Sequence, residues 1–245
     1  MVYTSSITSS ITSSDPEYTR MIPLEAPHSE DETQSQAAYR LIEAMIVTNE
    51  LTPKSKISET SLSKKLGIGR TPIREALKRL SFEGAVSIIS RSGAFVSDID
   101  LLEQLAMIEV RKGIEQVLAG RAARFAGDKE RIRFRELAQW FDEVAKSANG
   151  RAFVDADREF NALVVATARN KYAAQAIAPI EAQTRRFWYV YFKNFGDLPR
   201  VSRLHARLAR RIAENNEAAA RKCSDEIVDY AEEYTRKTLR FFDAK

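Results

Sequence analysis

The chain contains 245 residues, of which 44% are hydrophobic and 29% charged, and this predicts a globular protein with room for two modest domains. It has no long apolar run and no signal-peptide pattern, which argues against a membrane or exported protein, so we expect a cytoplasmic one. Cys223 is the single cysteine, which excludes an internal disulfide framework.

The net charge of +4 is distributed unevenly along the sequence. Residues 1–33 contain one basic and six acidic side chains, whereas residues 34–100 contain ten basic and seven acidic ones. The first segment also carries a Ser/Thr-rich near-repeat and several prolines, with too little apolar surface to build a core. We therefore predict a disordered acidic tail over residues 1–33, which is unsuited to act as a DNA-binding arm.

Residues 34–98 show the pattern of a winged helix-turn-helix domain. A first amphipathic helix is predicted over residues 34–47. Two short helices, 59–66 and 72–83, follow it and are separated by the turn Gly67-Ile68-Gly69, where glycine tolerates backbone angles that other residues resist. Apolar runs at 85–89 and 94–96 then predict a two-stranded hairpin, the wing, with Arg91 near its tip.

The second helix of this pair is predicted to have one apolar and one basic face. Thr71 is the predicted N-cap, and Pro72 follows at the first helical position. Four side chains recur at helical spacing toward the core: Ile73, Ala76, Leu77 and Leu80. Four basic side chains are expected to point outward: Arg70, Arg74, Lys78 and Arg79. Together with Arg91 they give this region a local basic excess, which suits the phosphate backbone of DNA.

Residues 99–245 are predicted to form an all-helical domain. The linker Asp98-Ile99-Asp100 marks its start, because the apolar period changes there from two to about 3.6 residues. Six helices separated by Asn-, Asp- and Gly-containing breaks are predicted at 101–126, 129–147, 151–168, 171–193, 199–214 and 217–242. The predicted fold class is therefore mainly α, with an N-terminal winged helix-turn-helix domain followed by an all-helical antiparallel bundle.

The N-terminal region resembles the DNA-binding domain of GntR-type bacterial transcription regulators. The segment that carries the resemblance is Leu66-Gly67-Ile68-Gly69-Arg70-Thr71-Pro72-Ile73-Arg74-Glu75-Ala76-Leu77, in which glycine replaces the usual family serine at position 69. The resemblance implies that Arg70 and Arg74 are the main DNA contacts. It places Thr71 on the DNA backbone and the wing with Arg91 in or near the minor groove, while Lys78 extends the basic face.

The C-terminal region resembles the ligand-sensing domain of the FadR-type (FCD) branch of that family, through 108–115, 157–161, 204–205 and 212–213. Many members of the branch hold a divalent metal on one Asp and three His, and the metal helps bind a small carboxylate effector. Here Asp157 and His205 match that pattern, but residue 161 is asparagine and the third histidine position falls near Ile227. Because Asn161 offers only a neutral carbonyl, we expect no tightly held metal and leave Asp157 and His205 as candidate ligands. His205 is alternatively a buried histidine bonded across the bundle, or a direct effector contact.

Arg111 matches an arginine that commonly reaches into the pocket of this branch, and a guanidinium is well shaped to bind a carboxylate. A salt bridge with Glu109 or Glu115 is the structural alternative for Arg111. Arg111, Asp157, Asn161 and His205 are thus the predicted effector-binding set. A nearby aromatic cluster is interpreted mainly as core and dimer packing: Phe187, Trp188, Tyr189, Tyr191 and Phe192.

These patterns predict a homodimeric transcription regulator that binds a double-stranded DNA operator and a small effector. We do not expect an enzyme, because one cysteine and one usable histidine form no catalytic set. We expect a repressor that a carboxylate ligand releases from DNA. Two alternatives remain open at this stage. The helical domain could only dimerise, without any ligand, or it could be a metal-dependent enzyme.

Overall fold

The computed structural model describes residues 32–244, apart from the side chains of residues 193–195. It confirms the predicted fold class, since a small winged domain precedes a helical bundle. The predicted acidic tail lies outside the described residues except for Glu32 and Thr33. Thr33 belongs to the first helix, because it forms a capping box with Gln36.

The N-terminal domain has the order α1 (Gln34–Val47), β1 (Lys56–Ile57), α2 (Glu59–Leu66), α3 (Arg70–Phe82), β2 (Val86–Ile89) and β3 (Gly93–Val96). Its core is formed by side chains of α1, α3 and the strands that are at most 2% exposed, including Ile42, Ile73, Leu80, Val86 and Val96. Burial of this apolar surface positions α3 with its other face in solvent.

The wing contains three antiparallel strands in the order β1-β3-β2. Val86 pairs with Val96, and Ile57 pairs with Ala94 on the other side of β3. The predicted hairpin is confirmed as β2 and β3, but the third strand, β1, was not predicted. The additional strand has only two residues, which is too short for an apolar period to be recognised in sequence.

The turn between α2 and α3 depends on Gly67, which lies in the left-handed region with φ of 66°. Helix α3 starts at Arg70, and its N-cap is Gly69, which makes no side-chain capping hydrogen bond. The prediction that Thr71 caps this helix was wrong, because the chain enters the helix before Thr71. Pro72 is still accommodated in the first turn, where backbone N–H groups lack intrahelical acceptors.

The C-terminal domain is a bundle of α4 (Leu101–Phe125), α5 (Asp128–Ser147), α6 (Gly150–Ala168), α7 (Lys171–Phe195), α8 (Leu198–Ala213) and α9 (Glu217–Asp243). Polar N-caps explain where several of these helices begin, since the side chains of Asn149, Asn170, Asp197 and Asn216 each accept a backbone N–H. The most extensive packing joins α5 to α8 and α4 to α9. Helix α6 carries Phe153 and Phe160 into the core between these pairs.

Candidate functional site

The basic residues predicted to contact DNA lie on the exposed face of α3. Glu59, the first residue of α2, accepts a hydrogen bond of 2.7 Å from Arg74 Nε and lies 3.5 Å from Arg70 Nη2. Both arginine side chains are nevertheless more than half exposed. Glu59 thus holds two guanidinium groups side by side at the start of α3, and Thr71 and Lys78 are exposed on the same helix.

The wing adds a further exposed cation to this surface. Arg91 lies in the turn between β2 and β3 with φ of 63°, a conformation in which few non-glycine residues occur. Arg91 is exposed, and so are Ile88 and Ile89 beside it. The structure thereby combines an exposed helix with basic side chains and an adjacent basic wing.

The prediction that Arg79 points outward is confirmed, since its side chain is 54% exposed, but Arg79 also contacts α1. Its guanidinium carbon lies 3.7 Å from the centre of the Tyr39 ring, and its Nε donates to Glu83 over 3.1 Å. Tyr39 OH in turn donates to Glu83 over 2.7 Å. Arg79 therefore links α3 to α1, since one carboxylate and one aromatic face attract its exposed guanidinium.

A cavity of about 370 Å³ lies among the helices of the C-terminal domain, and all four predicted effector residues line it. Arg111 comes from α4, Asp157 and Asn161 from α6, and His205 from α8. Ile227 of α9 lines the cavity as well. Asp157 and Asn161 are four residues apart and therefore lie on the same face of α6, as predicted from their spacing.

Asp157 and His205 form a contact between α6 and α8. His205 Nδ1 lies 2.8 Å from the Val201 carbonyl oxygen, which only accepts, so Nδ1 carries a proton. His205 Nε2 lies 3.2 Å from Asp157 Oδ1. Burial raises the pKa of Asp157, but the hydrogen bond and charge of His205 outweigh that effect, so the pKa is lowered overall. This contact joins α6 to α8 at the cavity wall.

This donor set does not fit the metal site of the branch. His205 Nε2 lies beside Asp157 Oδ1, so these two candidate ligands are adjacent. The two other family positions are Asn161 and Ile227, which offer a neutral amide and a hydrocarbon. Among the described residues, no group of three or more His, Cys, Asp or Glu side chains is placed to hold a metal ion.

Arg111 forms a salt bridge and also lines the cavity. Its Nε donates to Glu115 over 2.6 Å, which identifies Glu115 rather than Glu109 as the salt-bridge partner. Burial lowers the pKa of Arg111, but Glu115 raises it by more, so the group remains a cation. Within residues 32–244 its terminal nitrogens, Nη1 and Nη2, make no hydrogen bond, which leaves a fork of donors at the cavity.

Two further polar groups at the cavity have no hydrogen-bond partner among the described residues. They are the Thr184 hydroxyl and the indole N–H of Trp188, both buried and located one turn apart on α7. Buried polar groups are normally paired, so unpaired ones facing a cavity indicate where a ligand could bind. Of the aromatic cluster, Phe187, Trp188 and Tyr189 line the cavity, whereas Tyr191 and Phe192 pack in the core.

Sequence reasoning missed several charged residues of the cavity, among them Glu181 and Arg185 of α7. Neither residue belongs to a family motif, and the charge pattern of a helix does not by itself reveal which face of the helix lines a cavity. Arg185 contacts Glu43 of α1, so the cavity reaches the N-terminal domain. Five α1 residues line it on that side: Arg40, Leu41, Glu43, Ala44 and Val47.

Helix α7 also attaches the two domains to each other outside the cavity. Gln183 Nε2 donates to the Glu83 carbonyl oxygen over 3.1 Å. Arg186, which is buried, donates to the carbonyl oxygens of Ser97 and Asp98 in the linker. Burial lowers the pKa of Arg186 to about 10, a change that the more distant charge of Asp98 only partly opposes.

Glu181 predicts a measurable pH dependence of stability. Burial, reinforced by Glu115 and Asp157, raises its pKa from 4.5 to about 7 in the folded protein. Between these values the folded state binds more protons than the unfolded state, so stability falls as pH rises. Relative to Glu181→Gln, the wild-type free energy of unfolding should decrease by about 1–2 kcal/mol between pH 5 and pH 8. Urea denaturation at both pH values measures this difference.

The exposed Glu143→Gln variant is the matched control for this measurement, because Glu143 lies on the surface beside Lys146. Its stability relative to wild type should be independent of pH over the same interval. Parallel pH profiles for wild type and Glu181→Gln would contradict the assignment of a protonated Glu181 in the folded protein.

The fold and the site together define a class of protein, the DNA-binding transcription regulators with a winged helix-turn-helix domain and a helical sensor-type domain. The model of the gntR family of bacterial regulatory proteins matches residues 34–96, and the model of the FCD domain matches residues 106–230. The chain belongs to the GntR family and carries an FCD domain.

Individual relatives agree with this assignment. The Nta operon transcriptional regulator of Aminobacter aminovorans is 28% identical over 141 residues, which cover 58% of this chain and 67% of that protein. The HTH-type transcriptional repressor RspR of Escherichia coli (strain K12) is 23% identical over 171 residues, 70% of this chain and 75% of that protein. The structure of E. coli McbR/YncC matches with a TM-score of 0.73 and 14% identity, covering 85% of this chain and 99% of that chain. This structural likeness shows the shared fold.

Within residues 32–244, no helix combines the length and the apolar character that a membrane span requires.

Proposed function

We propose that the chain is a cytoplasmic, homodimeric repressor that binds a near-palindromic operator and leaves it when a small carboxylate occupies the cavity. A relative named as a transcriptional repressor supports the sign of regulation. Two winged domains in a dimer would place two copies of α3 in successive major grooves. The ligand can alter operator affinity only by binding the two dimer arrangements with different affinity.

The observation that carries the carboxylate proposal is the unused donor fork of Arg111. Its Nε is held by Glu115, which orients the guanidinium, the side chain lines the cavity, and the two terminal nitrogens make no hydrogen bond within residues 32–244. Two parallel N–H donors match the two oxygens of a carboxylate. The unpaired Thr184 hydroxyl and Trp188 N–H supply additional donors in the same cavity, beside aromatic walls that suit a small organic anion.

We propose that this ligand binds without a resident metal. Asp157 and His205 match two metal-ligand positions of the branch, and here the two side chains contact each other. The His205 ring lines the same cavity, so it is placed to contact a bound carboxylate directly.

The alternative is a helical domain that dimerises without any ligand. Exposed apolar side chains on α4 favour dimerisation whether or not a ligand binds. The unpaired buried donors at the cavity favour the ligand-binding version, because a purely structural bundle leaves such groups unpaired at a free-energy cost of about 1–3 kcal/mol each.

The test is a thermal-shift screen of small carboxylates against wild type and Arg111→Gln. A carboxylate that stabilises wild type should bind Arg111→Gln at least about tenfold more weakly, because a charge-assisted bidentate contact contributes about 1.5–3 kcal/mol. Calorimetric titration of the best compound provides the affinities. Arg133→Gln is the control, since Arg133 is a surface arginine paired with Glu136 and Glu159. Equal binding by wild type and Arg111→Gln would refute the assignment.

The proposed dimer has a candidate surface on α4. Leu102, Val110 and Val117 are 66%, 57% and 37% exposed, and spacings of eight and seven residues place them on one side of the helix. Gly113 lies on the same side, where an added Cβ would meet nothing within 4 Å. A second copy of this stripe is the partner that we propose, because an isologous apolar contact buries all three side chains in both protomers.

Val110→Glu is expected to convert the dimer into a monomer, because it places a charge at the centre of the buried stripe. Sedimentation velocity or light scattering at micromolar concentration measures the change. Ile132→Glu is the control, since Ile132 is 52% exposed on α5 and lies away from the stripe. A dimer that persists in Val110→Glu, or a wild-type monomer, would exclude this interface.

A further inference from the structure

Arg185 lies where the cavity meets the N-terminal domain. Its Nη2 is 2.5 Å from Glu43 Oε1 of α1, and its Nη1 is 3.7 Å from Glu181 Oε2 on its own helix. Arg185, Glu43 and Glu181 all line the cavity. One guanidinium therefore links the DNA-binding domain to the wall of the candidate effector site.

We propose that Arg185 is a second anion-binding residue of the cavity and that Glu43 is its built-in occupant, which an anionic effector displaces. This inference rests on the proposed function, since it assumes that the effector carries a carboxylate. A ligand with a second acidic group would contact Arg111 with one end and Arg185 with the other. The ligand class is therefore a small dicarboxylate or a comparable dianion.

The exchange is chemically balanced, because the incoming carboxylate offers Arg185 the same kind of partner that Glu43 offers. Arg185 keeps a charge-assisted hydrogen bond, while Glu43 loses one and also faces the negative charge of the ligand. The hydrogen bonds that Gln183 and Arg186 of α7 donate to Glu83, Ser97 and Asp98 use side chains outside the cavity lining. The ligand thus removes one specific attachment of α1 and leaves the others in place.

The consequence is reciprocal coupling between effector binding and domain attachment. A conformation in which Glu43 holds Arg185 binds the dianion poorly, so the apparent affinity is reduced by the fraction of molecules in which Arg185 is available. Conversely, a bound dianion weakens the attachment of α1, whose side chains form the core beneath α3. Effector binding and the attachment of α1 to α7 are therefore coupled through the Glu43–Arg185 ion pair.

The test uses succinate as the probe and the fluorescence of Trp188, which lines the cavity. Trp140→Phe leaves Trp188 as the single tryptophan of the full-length chain. In this background, Glu43→Gln should bind succinate about tenfold more tightly than the parent, because the internal competitor loses its charge. Calorimetric titration of the same Glu43 variant in protein that retains Trp140 checks that the Trp140→Phe substitution does not affect the result.

Two further variants separate this mechanism from a general loosening of the domains. Gln183→Ala removes one interdomain hydrogen bond outside the cavity and should leave succinate affinity within about twofold of the parent. In an Arg185→Gln background, Glu43→Gln should no longer change the affinity. An equal gain in Glu43→Gln and Gln183→Ala, or a gain that persists without Arg185, would overturn the inference.

The outcomes also distinguish this inference from the proposed function. If parent and Glu43→Gln bind succinate equally, and Arg111→Gln binds neither succinate nor other carboxylates, the effector site stands and the competition by Glu43 is refuted. If no carboxylate changes Trp188 fluorescence or releases heat in any variant, both the carboxylate site and the competition are refuted.

Discussion

Replacing Arg74 with alanine should weaken operator binding by about 1–3 kcal/mol if its guanidinium contacts a base edge. Arg74 is exposed on α3 and held beside Arg70 by Glu59, so its charge is positioned before DNA arrives. An operator obtained by selection from random duplexes is the substrate, and fluorescence anisotropy at several salt concentrations is the measurement. Loss of preference at one base position would identify a base contact.

A phosphate contact gives a different result for the same variant. Affinity would then fall evenly across sequences, and the slope of log affinity against log salt would decrease by about one. Arg203→Ala is the control, since it removes one exposed positive charge from α8, far along the chain from α3. Unchanged operator binding by Arg74→Ala, or an equal loss in Arg203→Ala, would contradict the assignment of α3 as the DNA-reading helix.

Replacing Phe141 with alanine should lower the free energy of unfolding by about 3–5 kcal/mol, because it creates a cavity in a closely packed core. The Phe141 ring is 0% exposed and packs on Phe153, Phe160 and the imidazole of His205, with ring centres 5.1–6.0 Å apart. Chemical denaturation monitored by circular dichroism measures the loss. His205 would lose part of its packing, so ligand binding should weaken in parallel.

Phe82→Ala is the matched control for this core substitution. It removes the same side chain from α3, where Phe82 is 91% exposed, so the expected change in stability is within about 0.5 kcal/mol. If the two variants were equally stable, the assignment of Phe141 to the centre of the helical core would be untenable.

The predicted helices could be located from sequence because their signals are local. Apolar side chains at helical spacing, together with N-caps such as Asn149, Asn170 and Asp197, mark where each helix of the bundle lies and where it begins. The observed ends fall within two residues of the predicted ones. Local signals failed at β1, which exists only because two residues pair with β3.

The candidate site was predictable only where a family motif names its residues. Arg111, Asp157, Asn161 and His205 match such motifs, and the structure gathers all four at one cavity. Thr184, Glu181 and Arg185 belong to no motif quoted from the sequence. Their roles depend on which side of α7 faces inward, and that is a property of the packed bundle.

The sequence by itself determined the order of helices, the basic face of α3 and the replacement of family histidines by Asn161 and Ile227, because each depends on residue type and spacing. Only the tertiary structure decided that Arg79 turns toward Tyr39 and that Glu43 reaches Arg185. Glu43 and Arg185 are separated by 142 positions in the chain. Such partners meet only when two domains pack, since the free energy of their contact depends on distance in space and not along the sequence.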